Sequence, residues 1–241
     1  MIDLRSDTVT LPSPEMKNFM FEAPLGDDVY GEDPSINKLQ EKAKQLFDKK
    51  GALFVPSGTM ANLISVLSHC ERSDEFLLGD KSHIFKYEAG GASVLGGLHS
   101  HQLPNNNDGT INIPDILSSI NNTDDTHYAR TRLVCLENTH NICYGTAIES
   151  QYFIDVKKAI TPFKLKLHID GARIFNASTA LKTSVKDLTR GADSVSFCLS
   201  KGLSCPAGSL ILGDMNFINK AKRLRKMLGG GMRQAGILAA A

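Results

Sequence analysis

Short apolar runs alternate along the chain with longer stretches in which apolar residues recur at helical spacing. The runs Ala52 to Val55, Glu75 to Leu78, Arg132 to Leu136, Leu165 to Ile169, Ser194 to Leu199 and Ser209 to Leu212 have the length and composition of buried strands. Helix-start signals lie between them. Asp33-Pro34 opens an amphipathic stretch to about Lys49, Thr59 opens one to about Cys70, and Pro114 opens one to about Asn121. Strands interleaved with helices predict an α/β fold with a mostly parallel central sheet flanked by helices. Ligands in such folds collect at the carboxyl ends of the strands, so the loops that follow the strands are where chemistry is sought.

In the run around residue 167, Leu165, Leu167 and Ile169 alternate with Lys164, Lys166 and His168, and Asp170 falls where that strand ends. Arg173 follows three residues later. About one β-α-β crossover further on comes Lys201, after a strand-like run and among the small residues Ser200, Gly202, Ser204, Pro206, Ala207 and Gly208. Pyridoxal phosphate needs this layout: an acid keeps the pyridine nitrogen protonated while a lysine amine forms a Schiff base with the aldehyde. Partial desolvation and neighbouring cations favour the free amine that such a reaction requires. The chain therefore reads as a pyridoxal-phosphate enzyme acting on amino acids. Taken singly, each residue has a plainer account: Asp170 fits a helix N-cap, and a lone lysine fits a solvated surface charge.

Pro56-Ser-Gly-Thr-Met-Ala-Asn62 joins a short apolar strand to a helix. Backbone N–H groups of Gly58 and Thr59, with the hydroxyls of Ser57 and Thr59, can grip a phosphate at that helix N-terminus; an ordinary strand-to-helix turn is the competing account. His83 lies in a polar stretch after the Phe76-Leu77-Leu78 run, placed either to stack on a pyridine ring and take a substrate proton or to bridge two surface groups. His99 and His101 share a strand face but lack an apparent third ligand, so no metal is expected. The basic stretch Lys220 to Lys226 has helical period and reads as a solvated face, and Asp27, Asp28, Glu32 and Asp33 read as an acidic turn without calcium-loop spacing.

The chain has 241 residues, 41% of them hydrophobic, enough for one large domain with a substantial core. A net charge of +1 gives no electrostatic pull toward nucleic acid or a membrane surface. Charges at the N-terminus exclude a signal-peptide core and no apolar run reaches spanning length, so a cytoplasmic location is expected. The five cysteines form no Cys-x-x-Cys pair and read as reduced thiols. The last residues, Met232 to Ala241, read as the start of a helix without a stop signal, as in a chain cut short.

Asp3-Leu-Arg-Ser-Asp-Thr-Val-Thr10, Gly26-Asp-Asp-Val-Tyr-Gly31, Pro56-Ser-Gly-Thr59, Glu88-Ala-Gly-Gly91, Glu137-Asn-Thr-His-Asn141, His168-Ile-Asp-Gly-Ala-Arg-Ile-Phe-Asn176, Ser200-Lys-Gly-Leu203 and Gly229-Gly-Gly-Met-Arg-Gln234 together closely resemble the low-specificity L-threonine aldolase family. The resemblance implies an aspartate aminotransferase-type large domain over residues 1–241, N-terminal arm included, and a homotetramer with active sites at subunit interfaces. A small C-terminal domain of the family is expected to be missing. It implies retro-aldol cleavage of L-threonine and L-allo-threonine to glycine and acetaldehyde, with a transaminase or β-eliminating lyase of the same fold, or an inert fragment, as alternatives. By motif it makes Lys201 the Schiff-base lysine, Asp170 the partner of the ring nitrogen, His83 the stacking residue and candidate base, and Gly58 and Thr59 phosphate ligands. It puts Ser6 and Arg173 on the substrate carboxylate, Arg233 on a phosphate, and Glu88 and His127 near the substrate hydroxyl.

Overall fold

A computed structural model describes residues 2–122 and 124–241. Its centre is a seven-stranded sheet: β1 (Gly51–Val55), β2 (Glu75–Gly79), β3 (His99–Leu103), β4 (Thr131–Glu137), β5 (Lys166–Asp170), β6 (Ser194–Cys198) and β7 (Ser209–Gly213). The spatial order is β1-β7-β6-β5-β4-β2-β3. β7 runs antiparallel to both β1 and β6, and the other pairings are parallel, as the alternation of elements predicts. The pattern of apolar runs did not predict β3, on which His99 and His101 lie. It is an edge strand whose Ser100 to Gln102 are half-exposed, so it carries no apolar run.

The helices are α1 (Pro14–Phe21), α2 (Pro34–Phe47), α3 (Gly58–His69), α4 (His83–Lys86), α5 (Gly91–Gly96), α6 (Ile113–Ser118), α7 (Ser150–Ile160), α8 (Ile174–Leu181), α9 (Val185–Leu188), α10 (Met215–Met227) and α11 (Gly236–Ala239). α2 starts where Asp33 accepts the N–H of Ile36, ahead of Pro34, and α3 where Ser57 accepts the N–H of Met60. The basic stretch around Lys222 is the outer face of α10 except at Arg225, which is buried like Ile218 and Ala221 of the same helix, pairing with Asp28 at 2.8 Å and donating to the Phe54 carbonyl at 2.7 Å. No helix among the described residues is long and apolar enough to cross a membrane.

One face of the sheet packs a continuous apolar core, with Leu165, Leu167 and Ile169 of the β5 segment against Phe153, Val156 and Ile174. The other face, under α3, is divided. Leu53, Val55 and Ile211 pack with Ile64 and Phe217 on one side, and Phe76, Leu78 and Leu133 pack with Val66 and Ile84 on the other. β5 and β6, lying between, add nothing to either cluster: the alternation that sends Leu167 and Ile169 into the core sends His168 and Asp170 toward α3.

Candidate active site

β5 and β6 end together, and their ends form the floor of a cavity of about 330 Å³. Its lining includes Gly58, Thr59 and Asn62 of α3, His83 at the start of α4, Asp170, Lys201, and Thr8 and Thr10 of the N-terminal arm. Five residues singled out from sequence, Gly58, Thr59, His83, Asp170 and Lys201, thus line one space.

Asp170 is the last residue of β5 and is buried. Its carboxylate accepts the N–H of Ala172 at 3.0 Å and the Asn62 Nδ2–H at 2.7 Å. The helix-cap account fails, because α8 begins four residues later with Arg173 at its N-cap. Lys201 follows β6 in a turn held to the arm by Thr10, whose hydroxyl donates to the Lys201 carbonyl at 2.8 Å. At the head of α3, the N–H groups of Gly58 and Thr59 have no partner among the described residues, since Ser57 caps the N–H of Met60. A Cβ on Gly58 would lie 2.7 Å from Cys198 Sγ, so glycine lets this helix end seat directly on β6.

His83 reaches the cavity with its Nδ1 2.9 Å from Glu88 Oε1. That hydrogen bond raises the imidazole pKa, with the negative charges of Asp170 and Glu88 adding to it and burial and Lys201 opposing. Burial raises the Glu88 pKa in turn. His83, Glu88 and Asp170 bring ligating atoms within 4.8 Å of one another. Hydrogen bonds from His83 and Asn62 already meet at Glu88 Oε1, the Asn62 donor lying at 2.8 Å.

Glu137, at the end of β4, is buried and accepts the N–H of His83 at 2.8 Å and of Asn141 at 2.9 Å. Burial, with the nearby charge of Asp170, pushes it up to about 7. The folded state therefore holds a proton on Glu137 that the unfolded chain has released above about pH 4.5. Stability is expected to fall as pH rises from about 4.5 through 7, and Glu137→Gln to flatten that slope in chemical-denaturation curves. An unchanged slope would put the proton elsewhere.

Several residues expected at the site are not at the cavity wall. The Arg173 guanidinium is taken by Asp7, with Nε to Oδ2 and Nη2 to Oδ1 both at 2.7 Å. This pair lowers the Asp7 pKa and raises that of Arg173. Ser6 accepts the N–H and hydroxyl of Thr8 within the arm. Ser57 caps α3, and Glu88 stands behind His83. His127 is exposed and bonded to Asp125 at 2.8 Å, and Arg233 is exposed and paired with Asp27 at 3.1 Å, so neither faces the cavity. His99 and His101 do meet a third group, the buried Glu75, whose Oε2 lies 3.1 and 3.4 Å from their Nδ1 atoms. Sequence reasoning missed Thr8, Thr10 and Asn62. A helix position facing the sheet gave no chemical signal for Asn62.

The family model for beta-eliminating lyases matches residues 3–241. The low specificity L-threonine aldolase of Escherichia coli O157:H7 is 50% identical over 241 residues, covering 100% of this chain and 71% of that protein. The chain belongs to the low-specificity L-threonine aldolase family. The low-specificity L-threonine aldolase 1 of Arabidopsis thaliana is 50% identical, and the chain spans 68% of its length. Solved structures share the fold. A Leishmania major threonine aldolase superposes with a TM-score of 0.84 at 22% identity, covering 98% of this chain and 69% of that one. A chain from Listeria monocytogenes gives 0.79 at 21% identity, and this chain, 96% covered, spans 64% of its length, just under two thirds.

Proposed function

We propose that the cavity binds pyridoxal phosphate and that the protein cleaves L-threonine and L-allo-threonine to glycine and acetaldehyde, as a cytoplasmic homotetramer. One observation carries this reading: a lysine amine, a buried carboxylate and an open helix N-terminus converge on a single cavity of about 330 Å³. The residues fit the cofactor. The unpartnered N–H groups of Gly58 and Thr59 suit a phosphate, and Asp170, already held by two donors, suits a protonated ring nitrogen. When bound, the cofactor supplies an aldehyde for covalent capture of amino acids and a ring that takes up electrons released at Cα.

The chain's own groups then do the following. Lys201, whose amine faces the cavity, would hold the cofactor through its aldehyde. Arg173, after exchanging Asp7, takes the substrate carboxylate together with Ser6 and so sets which Cα bond stands ready to break. His83, made more basic by Glu88, accepts the β-hydroxyl proton. Asp170, held by the Ala172 N–H and the Asn62 amide, presents its carboxyl group at the cavity floor, where no water need reorganise to supply it.

Incubating the protein with cofactor and L-threonine is expected to give acetaldehyde and glycine in equal amounts, measured by coupled reduction of the aldehyde and amino-acid analysis. The description of the matched family as beta-eliminating lyases favours a second reading. An oxo acid without acetaldehyde would select it, and no product at all would overturn both.

A further inference from the structure

We infer that the polar seam between α3 and the sheet, running from His69 through Ser194 and His168 to Asn62, is a positioning device that holds Asp170 and Glu88 in the orientation the cavity uses. This rests on the cavity being the cofactor site. The seam is where the α3-side core divides, and it follows the sheet register: His168 is paired with Ser194 and Asp170 with Ser196 across β5 and β6. Asn62 and His69 are seven residues apart on α3, two turns, and so face these strands together.

The Asn62 amide orients the hydrogen bonds, and the tautomers of His168 and His69 are assigned from it. Asn62 Nδ2 has two hydrogens and two carboxylates to take them, Glu88 at 2.8 Å and Asp170 at 2.7 Å, which fixes the amide. Its Oδ1 then accepts the Ser196 hydroxyl at 2.8 Å and faces His168 Nε2 at 3.4 Å. Burial holds His168 at about 4, so the ring is neutral with one hydrogen, and facing a carbonyl oxygen puts it on Nε2. His168 Nδ1 accepts the Ser194 hydroxyl at 2.9 Å, and Ser194 Oγ accepts His69 Nε2–H at 2.7 Å. His69 is likewise neutral, held at about 3 by burial, and its ring stacks on Phe217 at 4.8 Å. All donor and acceptor capacity of the Asn62 amide is thus spent.

Burying so many polar groups costs stability that an apolar seam would not, and a sequence departs from a continuous core mainly where function requires it. Here the seam ends on the two acids at the cavity. With both their orientations set from behind, Asp170 keeps its oxygens on the cavity floor and Glu88 stays available to His83.

The test uses Asn62→Leu, which keeps approximate size and removes the amide. In cofactor-free protein, the His83 imidazole is followed by NMR titration; Glu88, Asp170, Glu137 and Lys201, the charged groups around it, are unchanged by sequence. Glu88 without its amide donor takes a proton more readily, so the His83 midpoint is expected to fall by about one pH unit. In loaded protein, kcat for threonine is expected to fall about a hundredfold with KM within about threefold. Ser196→Ala, which removes only the hydroxyl pinning Oδ1, gives the same signs at about a tenth of the kcat effect and serves if the leucine variant does not fold. Folded variants with wild-type His83 titration and kcat would overturn the inference, as would a His168 ring carrying its hydrogen on Nδ1 by nitrogen chemical shift. Because the titration needs neither cofactor nor turnover, it decides the seam even if the protein proves not to cleave threonine.

Discussion

Lys201→Ala is expected to abolish threonine cleavage, by about four orders of magnitude or more, while the protein stays folded. The side chain lines the cavity and belongs to none of the apolar clusters, and the turn that carries it is held through its backbone carbonyl by Thr10. Alanine therefore removes an amine and little packing. Borohydride reduction followed by peptide mass mapping gives the matching chemical result: cofactor mass on the Lys201 peptide of the wild type and none anywhere on the variant. A label on another lysine, or a variant retaining a tenth of the wild-type rate, would remove the assignment.

Asp170→Ala is expected to slow cleavage by about a hundred- to ten-thousandfold. The loss has two parts that a companion variant separates. Alanine deletes the carboxylate at the cavity floor and also leaves the Ala172 N–H and one hydrogen of the Asn62 amide without acceptors, the other staying on Glu88, at a cost of about 1–3 kcal/mol each in stability. Asp170→Asn keeps the volume and one oxygen, so its melting midpoint is expected to stay closer to wild type while kcat falls nearly as far. Undiminished turnover in the asparagine variant, with folding verified by circular dichroism, would mean that the charge has no part in the reaction.

β1, β2, β4 and β7 were legible because both their faces are covered, so they appear as apolar runs bounded by turn residues, and β5 was legible from its alternation. β3 was not, because an edge strand with half-exposed faces needs no such run. The helical period of Lys220 to Lys226 was legible because Phe217, Ile218, Ala221 and Arg225 recur at helical spacing on the buried side of α10, while the turn of Arg225 inward toward Asp28 was not. Within the site, Gly58, Thr59, Asp170 and Lys201 each sit at the end of a readable strand, and topology brings those ends together. His127, Arg233 and Arg173 lie where side-chain direction and a local acid, Asp125, Asp27 or Asp7, decide the contact, and motif spacing carries no information about either. Asn62 had a faint trace in hindsight. Polar residues alternate in step on β5 and β6, His168 with Asp170 and Ser194 with Ser196, and a helix covering such a pair of strands must offer them hydrogen-bonding side chains.

The grip of Asp7 on Arg173 makes substrate capture on the proposed reading an exchange of one carboxylate for another. The guanidinium is never stripped bare, so neither arrival nor departure has to cross a state with a lone desolvated cation. The tethered rival also subtracts its own hold from whatever the visitor gains, which weakens ground-state affinity and speeds the exit of glycine.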